Sequence, residues 1–174
     1  MYKKILIIFL LSIISVTGCQ NSENDKVDQQ LQASMGDDKA PAFSLKSTDN
    51  KDISLADYKG KVIIIDFWAT WCPPCRKGIP DLIAIQNEFK DDVVIIGISL
   101  DRDTKNDVVP FVKNYGINYP VVFGNEDVAN KFGGIQAIPT SFIIDKKGNI
   151  VDKHVGLVDK SVYTDKIKSL LGKS

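Results

Sequence analysis

Two long runs of mostly β-branched residues place the strongest constraint on how this 174-residue chain can fold. The first run covers residues 62–68 and the second covers residues 93–98. Runs that are apolar at consecutive positions are typical of strands covered on both faces in a parallel sheet. The segment between them carries Leu82, Ile85 and Phe89 at helical spacing. The sequence therefore predicts a βαβ unit whose first strand is central in the sheet.

Shorter patterns complete a predicted α/β domain. Residues 43–48 and 52–55 flank an Asp-Asn-Lys turn and predict an N-terminal hairpin. Pro110 is expected in the first turn of a later helix or at a kink in it. After the βαβ unit the patterns predict a helix near 108–115, a strand over 119–123, a helix over 126–132, strands over 141–144 and 150–155, and a last helix over 159–171. The expected fold class is α/β, with a mixed central sheet flanked by helices, the N-terminal β-hairpin and an inserted helix–strand segment.

The first eighteen residues have the pattern of an export signal. Lys3 and Lys4 precede an apolar run over residues 5–16, which is shorter than the roughly 20 residues of a spanning helix. Residues 19–36 are polar and contain no aromatic side chain, a composition typical of a flexible tether. We therefore expect a signal peptide over 1–18, a tether over 19–36 and one folded domain over 37–174, outside the cytoplasm.

Charge and residue counts exclude several classes of function. The 22 Lys and Arg residues balance 22 Asp and Glu residues, which gives no electrostatic reason to expect a nucleic acid partner. A structural zinc site usually takes four Cys or His ligands, and the chain has three Cys and one His in all. We expect no nucleic acid binding and no metal or organic cofactor.

The motif Cys-Pro-Pro-Cys lies where the first buried strand is predicted to end and the helix to begin. Unpaired amides and the dipole at a helix N-terminus lower the pKa of a thiol, so Cys72 is the predicted nucleophile. Cys75, one turn later and expected to be more covered, is placed to resolve a mixed disulfide. Pro73 and Pro74 suit early helical positions, which need no N–H partner. The pattern predicts a redox-active dithiol.

Two other interpretations of the Cys pair stay open. A structural disulfide is common outside the cytoplasm, although a loop this short gains little stability from closure. A metal site would need further ligands, and His154, the only imidazole, lies in a predicted strand far along the chain, where a surface position is expected.

The residues around the Cys pair resemble a known family. Residues 66–75, DFWATWCPPC, followed by the Ile-Pro-Thr of residues 138–140, are similar to the thioredoxin superfamily. A narrower resemblance, to TlpA/ResA-like thiol-disulfide oxidoreductases, is carried by residues 40–45, 58–61 and 138–145. This resemblance covers residues 40–171. The resemblance implies a thioredoxin-like fold and dithiol–disulfide exchange.

The resemblance also assigns roles to residues near the pair. It implies a cis bond before Pro139, facing the two Cys, and an Ile138 backbone able to pair with an extended substrate segment. Trp71, beside the nucleophile, is expected to contact substrate, as are Pro73 and Pro74. Trp68 is expected in the core.

Asp66 is the predicted proton-transfer residue. A carboxylate inside a buried strand is costly unless paired, protonated or useful, so its pKa should be raised. In thioredoxins the matching acid lies behind the resolving Cys and helps transfer its proton, a role that the resemblance carries to Asp66. Many TlpA/ResA-like proteins have a Glu three residues after the second Cys, where this chain has Gly78. The departure removes an acid that tunes the thiols in those relatives.

The family resemblance extends to location and partners. Residues 16–19, Val-Thr-Gly-Cys, resemble a bacterial lipobox, which implies cleavage before Cys19 and lipidation of its sulfur. A plain secreted protein or an uncleaved anchor is the alternative. The resemblance implies a monomer that reduces disulfide-bearing proteins, such as apocytochrome c, with electrons from a CcdA/DsbD-type transmembrane thiol donor.

Three other functions were weighed against the reductase. A peroxiredoxin-like peroxidase has a similar hairpin region, but its reactive Cys follows a Pro and a Thr at fixed distances, whereas Thr70 and Trp71 precede a CxxC here. A thioredoxin-fold metal- or haem-handling protein would need CxxxC spacing and a nearby His. A non-catalytic docking module would keep the fold alone, and the intact Cys pair argues against that function.

Overall fold

The computed structural model describes residues 39–173. The predicted signal peptide, the predicted lipidation site Cys19 and the predicted tether lie outside these residues. The strands, in chain order, are β1 (Ser44–Lys46), β2 (Asp52–Ser54), β3 (Val62–Trp68), β4 (Val93–Ser99), β5 (Val121–Phe123), β6 (Thr140–Ile144) and β7 (Ile150–Val155). A 3₁₀ helix covers Leu55–Tyr58, and the α-helices are α1 (Pro73–Glu88), α2 (Lys105–Tyr115), α3 (Glu126–Lys131) and α4 (Lys160–Leu171).

Five of the strands form one mixed sheet in the order β5-β4-β3-β6-β7. The β3 strand is parallel to β4 and antiparallel to β6, and every residue of β3 and β4 is buried. The predicted βαβ unit and the central position of the first strand are therefore confirmed. The β1–β2 hairpin forms a separate two-stranded sheet, and Ser47 bridges to Val122 at the outer edge of β5.

Side chains alternate along β3 between two apolar cores. Ile63, Ile65 and Phe67 face the core that also holds buried residues of the hairpin and α3. Ile64 and Trp68 face the core that contains the two active-site cysteines and buried residues of α1, α2 and α4. Strand alternation places Asp66 on this second face. The sheet thus carries one carboxylate into the core behind the Cys pair.

The helices end at recognisable signals, and the structure decides between the two positions expected for Pro110. Gly116 and Gly172 end α2 and α4 with positive φ angles of 65° and 64°. The α2 helix begins at Lys105, so Pro110 lies in its interior and not in its first turn. Among residues 39–173, no helix is long and apolar enough to cross a membrane.

Candidate active site

The Cys pair sits at the N-terminus of α1, directly after the loop that leaves β3. Cys72 is the N-cap residue, and Pro73 and Pro74 occupy the first helical positions. Cys72 and Cys75 form a disulfide with their Cα atoms 5.3 Å apart. The backbone amide of Cys75 donates a hydrogen bond to Cys72 Sγ, at 3.3 Å. In the reduced state this amide and the helix dipole would favour negative charge on Cys72.

Both cysteines are buried, with exposed fractions of 2 % for Cys72 and 4 % for Cys75. The expectation that Cys75 is the more covered of the two is wrong for the disulfide form. Cys72 is covered because its Sγ lies 3.7 Å from the carbonyl oxygen of Ile138, in the loop before β6. In the disulfide, Cys72 Sγ has no proton to donate, so the two atoms are in contact without a hydrogen bond. In the reduced protein, a Cys72 thiol at this position could donate to the Ile138 carbonyl.

The loop facing the pair contains a cis peptide bond between Ile138 and Pro139. Its position is held from the other side by Gly156, whose amide donates to the Pro139 carbonyl at 2.7 Å. Within residues 39–173 the Ile138 amide and carbonyl take part in no backbone hydrogen bond. The loop therefore presents unpaired backbone groups next to Cys72.

The aromatic residues beside the pair have different surroundings. Trp71 is 60 % exposed, and the two prolines that follow Cys72 are exposed as well. Trp68 is 2 % exposed and packs against Phe111 of α2, with ring centroids 5.2 Å apart. Trp71 thus forms an apolar surface next to Cys72, while Trp68 belongs to the core.

Asp66 lies behind the pair and is 5 % exposed. Burial raises the pKa of its carboxyl from 3.8 to about 7. Among residues 39–173 it takes part in no hydrogen bond and no ion pair that would stabilise the charged form. Asp66 and Cys75 line the same cavity of about 20 Å³, together with Tyr163. The structure therefore brings the predicted proton-transfer residue to the second cysteine.

Gly78 also lines this cavity, one turn after Cys75 on α1. A Cβ atom at Gly78 would lie 2.9 Å from Cδ1 of Leu157. Leu157, in the loop between β7 and α4, therefore fills the space that a side chain at residue 78 would take.

The structure reveals one residue near the site to which the sequence analysis gave no role. Asp101 is 6 % exposed and accepts hydrogen bonds from the backbone amide of Thr70 at 3.0 Å and from Ser99 Oγ at 2.9 Å. The hydroxyls of Thr70 and Thr104 also donate to it. Asp101 thus fixes the loop two residues before Cys72. The available signal was a carboxylate directly after a buried strand, with hydroxyl residues on both sides of it in sequence.

His154 lies on the edge strand β7, with a side chain only 18 % exposed. The expected surface position is wrong, because the ring packs edge-on against Tyr163 of α4, with centroids 5.8 Å apart. Within residues 39–173, no three His, Cys, Asp or Glu side chains are close enough together to hold a metal ion.

Comparison with known proteins agrees with this geometry. Residues 37–153 match the AhpC/TSA family model, and over 171 residues the chain is 31 % identical to the thiol-disulfide oxidoreductase ResA of Bacillus thuringiensis, covering 98 % of this chain and 95 % of ResA. The chain belongs to the AhpC/TSA family. Its likeness to ResA and its Cys72–Cys75 pair make it a thiol-disulfide oxidoreductase of the ResA type.

Solved structures of related proteins show that the similarity extends from the sequence to the fold. A thiol:disulfide interchange protein of Chlorobium tepidum is 38 % identical, with a TM-score of 0.71, over 77 % of this chain and 96 % of that one. The exposed lipoprotein thioredoxin of Streptococcus pneumoniae is 29 % identical, with a TM-score of 0.66, over 74 % and 99 %. These neighbours and the mixed five-stranded sheet confirm the predicted thioredoxin-like fold.

Proposed function

We propose that this oxidoreductase works outside the cytoplasm, anchored to a membrane by lipid on Cys19, and reduces disulfide bonds in proteins. The observation that carries the catalytic part is the position of Cys72, at a helix N-terminus and facing the loop of Ile138 and Pro139. A nucleophilic thiolate and a docking strip for an extended chain meet there. Metal chemistry plays no part in this proposal.

The reaction begins with the reduced Cys pair. The Cys72 thiolate attacks one sulfur of the substrate disulfide, forms a mixed disulfide and releases the other substrate sulfur as a thiolate, which takes up a proton. The Cys75 thiolate then attacks Cys72 Sγ, which forms the Cys72–Cys75 bond and frees the second substrate thiolate. Two electrons pass from the Cys pair to the substrate, and a dithiol donor must restore the pair.

Substrate binding uses the surface around Cys72. The unpaired Ile138 backbone beside Pro139 pairs with an extended substrate segment. The exposed Trp71 ring, with Pro73 and Pro74, covers the apolar side chains of that segment. Contact with backbone and unspecific apolar surface suits an enzyme that acts on several protein disulfides.

Asp66 acts as the base that takes the proton of Cys75 before the second attack. Its pKa of about 7 matches proton exchange near neutral pH, and it shares a cavity with Cys75. Cys75 needs a base because it is buried and lies further into the helix than Cys72. At that position the helix dipole, which is strongest at the N-terminus, does less to stabilise a thiolate.

The location and partners follow from the N-terminal sequence and from family resemblance. Residues 1–19 have the pattern of a lipoprotein signal, and one structural neighbour is named an exposed lipoprotein. A CcdA/DsbD-type transmembrane thiol protein would supply electrons, and apocytochrome c is the substrate we propose to test first.

Trapping of the mixed disulfide tests the catalytic proposal. Cys75→Ala in the full-length chain should accumulate a covalent complex with a disulfide-bearing protein, and Cys72→Ala should accumulate none. Equal trapping by both variants would contradict the assignment of the nucleophile. A peroxide-consumption assay on the same preparations separates the peroxidase alternative, for which peroxide would be consumed at a rate that depends on Cys72.

Labelling with a radioactive fatty acid in the producing bacterium tests the anchor. The wild-type chain should carry label and sediment with membranes, whereas Cys19→Ala should carry none. An unlabelled wild-type chain in the culture medium would mean a plain secreted protein.

A further inference from the structure

A second carboxylate lines the small cavity behind the Cys pair. Asp81 projects into it from α1, opposite the β3 strand that carries Asp66. The cavity has a volume of about 20 Å³, which is sufficient for one water molecule. The lining residues that bear on its chemistry are Asp66, Cys75, Gly78, Asp81, Leu157 and Tyr163.

Asp66 is the group in this cavity that needs a partner. It is 95 % buried, given its exposed fraction of 5 %, and its carboxyl takes part in no hydrogen bond within the described part of the chain. Each catalytic cycle that uses Asp66 as a base leaves a proton on it. Because Asp66 has almost no contact with bulk water, that proton needs a route out.

Asp81 has the position such a route requires. It is partly exposed to solvent and also lines the cavity. Asp81 follows Gly78 by three positions, so both lie on the same face of α1. Leu157, 40 % exposed, packs over Gly78 on this face of α1, and Cys75 and Asp81 line the cavity together with both residues.

Few other titratable groups surround the cavity. Tyr163 of α4 and Tyr119, before β5, face Asp66, and burial holds the pKa of Tyr163 at about 12 and raises that of Tyr119 well above its usual value. Lys77 lies one turn before Asp81 on α1, and within residues 39–173 it forms no ion pair with Asp81. Besides the tyrosines, the proton-carrying groups that line this cavity are therefore the two carboxyls and the Cys75 thiol.

We propose that Asp81 is the proton-exchange residue of this enzyme, passing protons between Asp66 and bulk solvent through one water in the cavity. In the resolving step the Cys75 thiol gives its proton to the Asp66 carboxylate and becomes a thiolate. Before that step the relay deprotonates Asp66: its carboxyl gives a proton to the water, which gives one to the Asp81 carboxylate, which releases it to solvent, so the rate of resolution depends on the relay. No electrons move in this relay. The inference rests on the proposed role of Asp66 as base.

Single-turnover kinetics of the reduced full-length chain test the relay. The probe is a peptide with one intramolecular disulfide, with mixed disulfide quantified by rapid acid quench. Asp81→Asn should leave formation of the mixed disulfide unchanged and slow its resolution about tenfold. Formate added as a small proton carrier should restore the rate, and Asp81→Glu should keep it. If Asp81→Asn does not fold, Asp81→Ser takes its place.

Two controls separate the possible failures. Asp91→Asn removes an exposed carboxylate after α1 that forms no ion pair within the described residues, and it should change neither step. Asp66→Asn should slow resolution without rescue by formate. An Asp81→Asn variant that resolves at the wild-type rate, or slows without rescue, overturns the relay alone. An Asp66→Asn variant at the wild-type rate overturns the base as well.

Discussion

Two buried carboxylates near the Cys pair, those of Asp66 and Asp101, have very different surroundings. Asp66 and Asp101 are 5 % and 6 % exposed. Asp101 accepts hydrogen bonds from the amide and the hydroxyl of Thr70, two residues before Cys72, and from the hydroxyls of Ser99 and Thr104, which flank Asp101 in sequence. Asp66 accepts none within residues 39–173 and faces a cavity.

This difference separates a structural acid from a chemical one. Donors around Asp101 compensate for its desolvation, so its carboxylate is held in one place and holds Thr70 in turn. Asp66 has no such donors, and its pKa rises to about 7. A group that is easily protonated at neutral pH is poorly suited to fix a loop, but it can exchange a proton with Cys75. Burial alone therefore does not determine what an acid does.

The largest effect is expected from Asp66→Asn, in the pH dependence of stability. Because the pKa of Asp66 is raised from 3.8 to about 7 on folding, the native state keeps a proton that the unfolded chain has lost between these values. Stability therefore falls as pH rises through this window, by about 4 kcal/mol in total. Asp66→Asn should remove that loss. Urea unfolding of the oxidised proteins at pH 4 and pH 9 measures it.

The quantity to compare is the difference in the free energy of unfolding between pH 4 and pH 9. The amide introduced by Asp66→Asn is uncharged at both pH values, as the protonated carboxyl is. Parallel stability profiles for the wild type and Asp66→Asn would mean that Asp66 has an ordinary pKa.

The next largest effect is expected from Asp101→Ala. The change removes the acceptor of several buried donors and should destabilise the fold by about 3 kcal/mol, because the Thr70 amide cannot turn to another partner. Asp103→Ala is the matched control, an exposed acid two residues later. Denaturant unfolding at pH 7 measures both. An Asp101→Ala variant as stable as its control would contradict the role given to the network.

A smaller effect is expected from Thr70→Val. The substitution keeps the side-chain shape and the amide bond to Asp101 but removes the hydroxyl donor, which should cost about 1 kcal/mol. The same unfolding assay applies. A loss as large as that of Asp101→Ala would show that the hydroxyl, and not the amide, carries the network.

The sequence predicts local and repetitive features of this molecule well. The consecutive apolar residues of β3 and β4 identify the buried centre of the sheet, and the predicted strand over 150–155 agrees with β7 residue by residue. The position of the Cys pair, between a strand and a helix, follows from the same patterns. Asp66 stands out because it interrupts a run that is otherwise apolar.

Features that depend on contacts between distant segments were not predictable in this way. The role of Asp101 depends on its contact with Thr70, 31 residues away in the sequence. His154 was expected at the surface because strand alternation does not show that α4 covers this edge with Tyr163. The cover over Cys72 likewise comes from Ile138, 66 residues later.

The equilibrium reduction potential of the Cys72–Cys75 pair tests the proposed reductase most directly. It is measured on the full-length chain in graded thiol buffers, with the fluorescence of Trp68 and Trp71 as the signal. In a strongly oxidising protein of this fold, the reduced form of the Cys pair is stabilised. A charged Asp66 behind Cys75 does not favour a thiolate there, so Asp66 gives the reduced form of this pair no such stabilisation. We predict a value near the reducing end of this fold, about −270 mV. A value near −120 mV, typical of a disulfide-forming oxidant, would contradict the reductase.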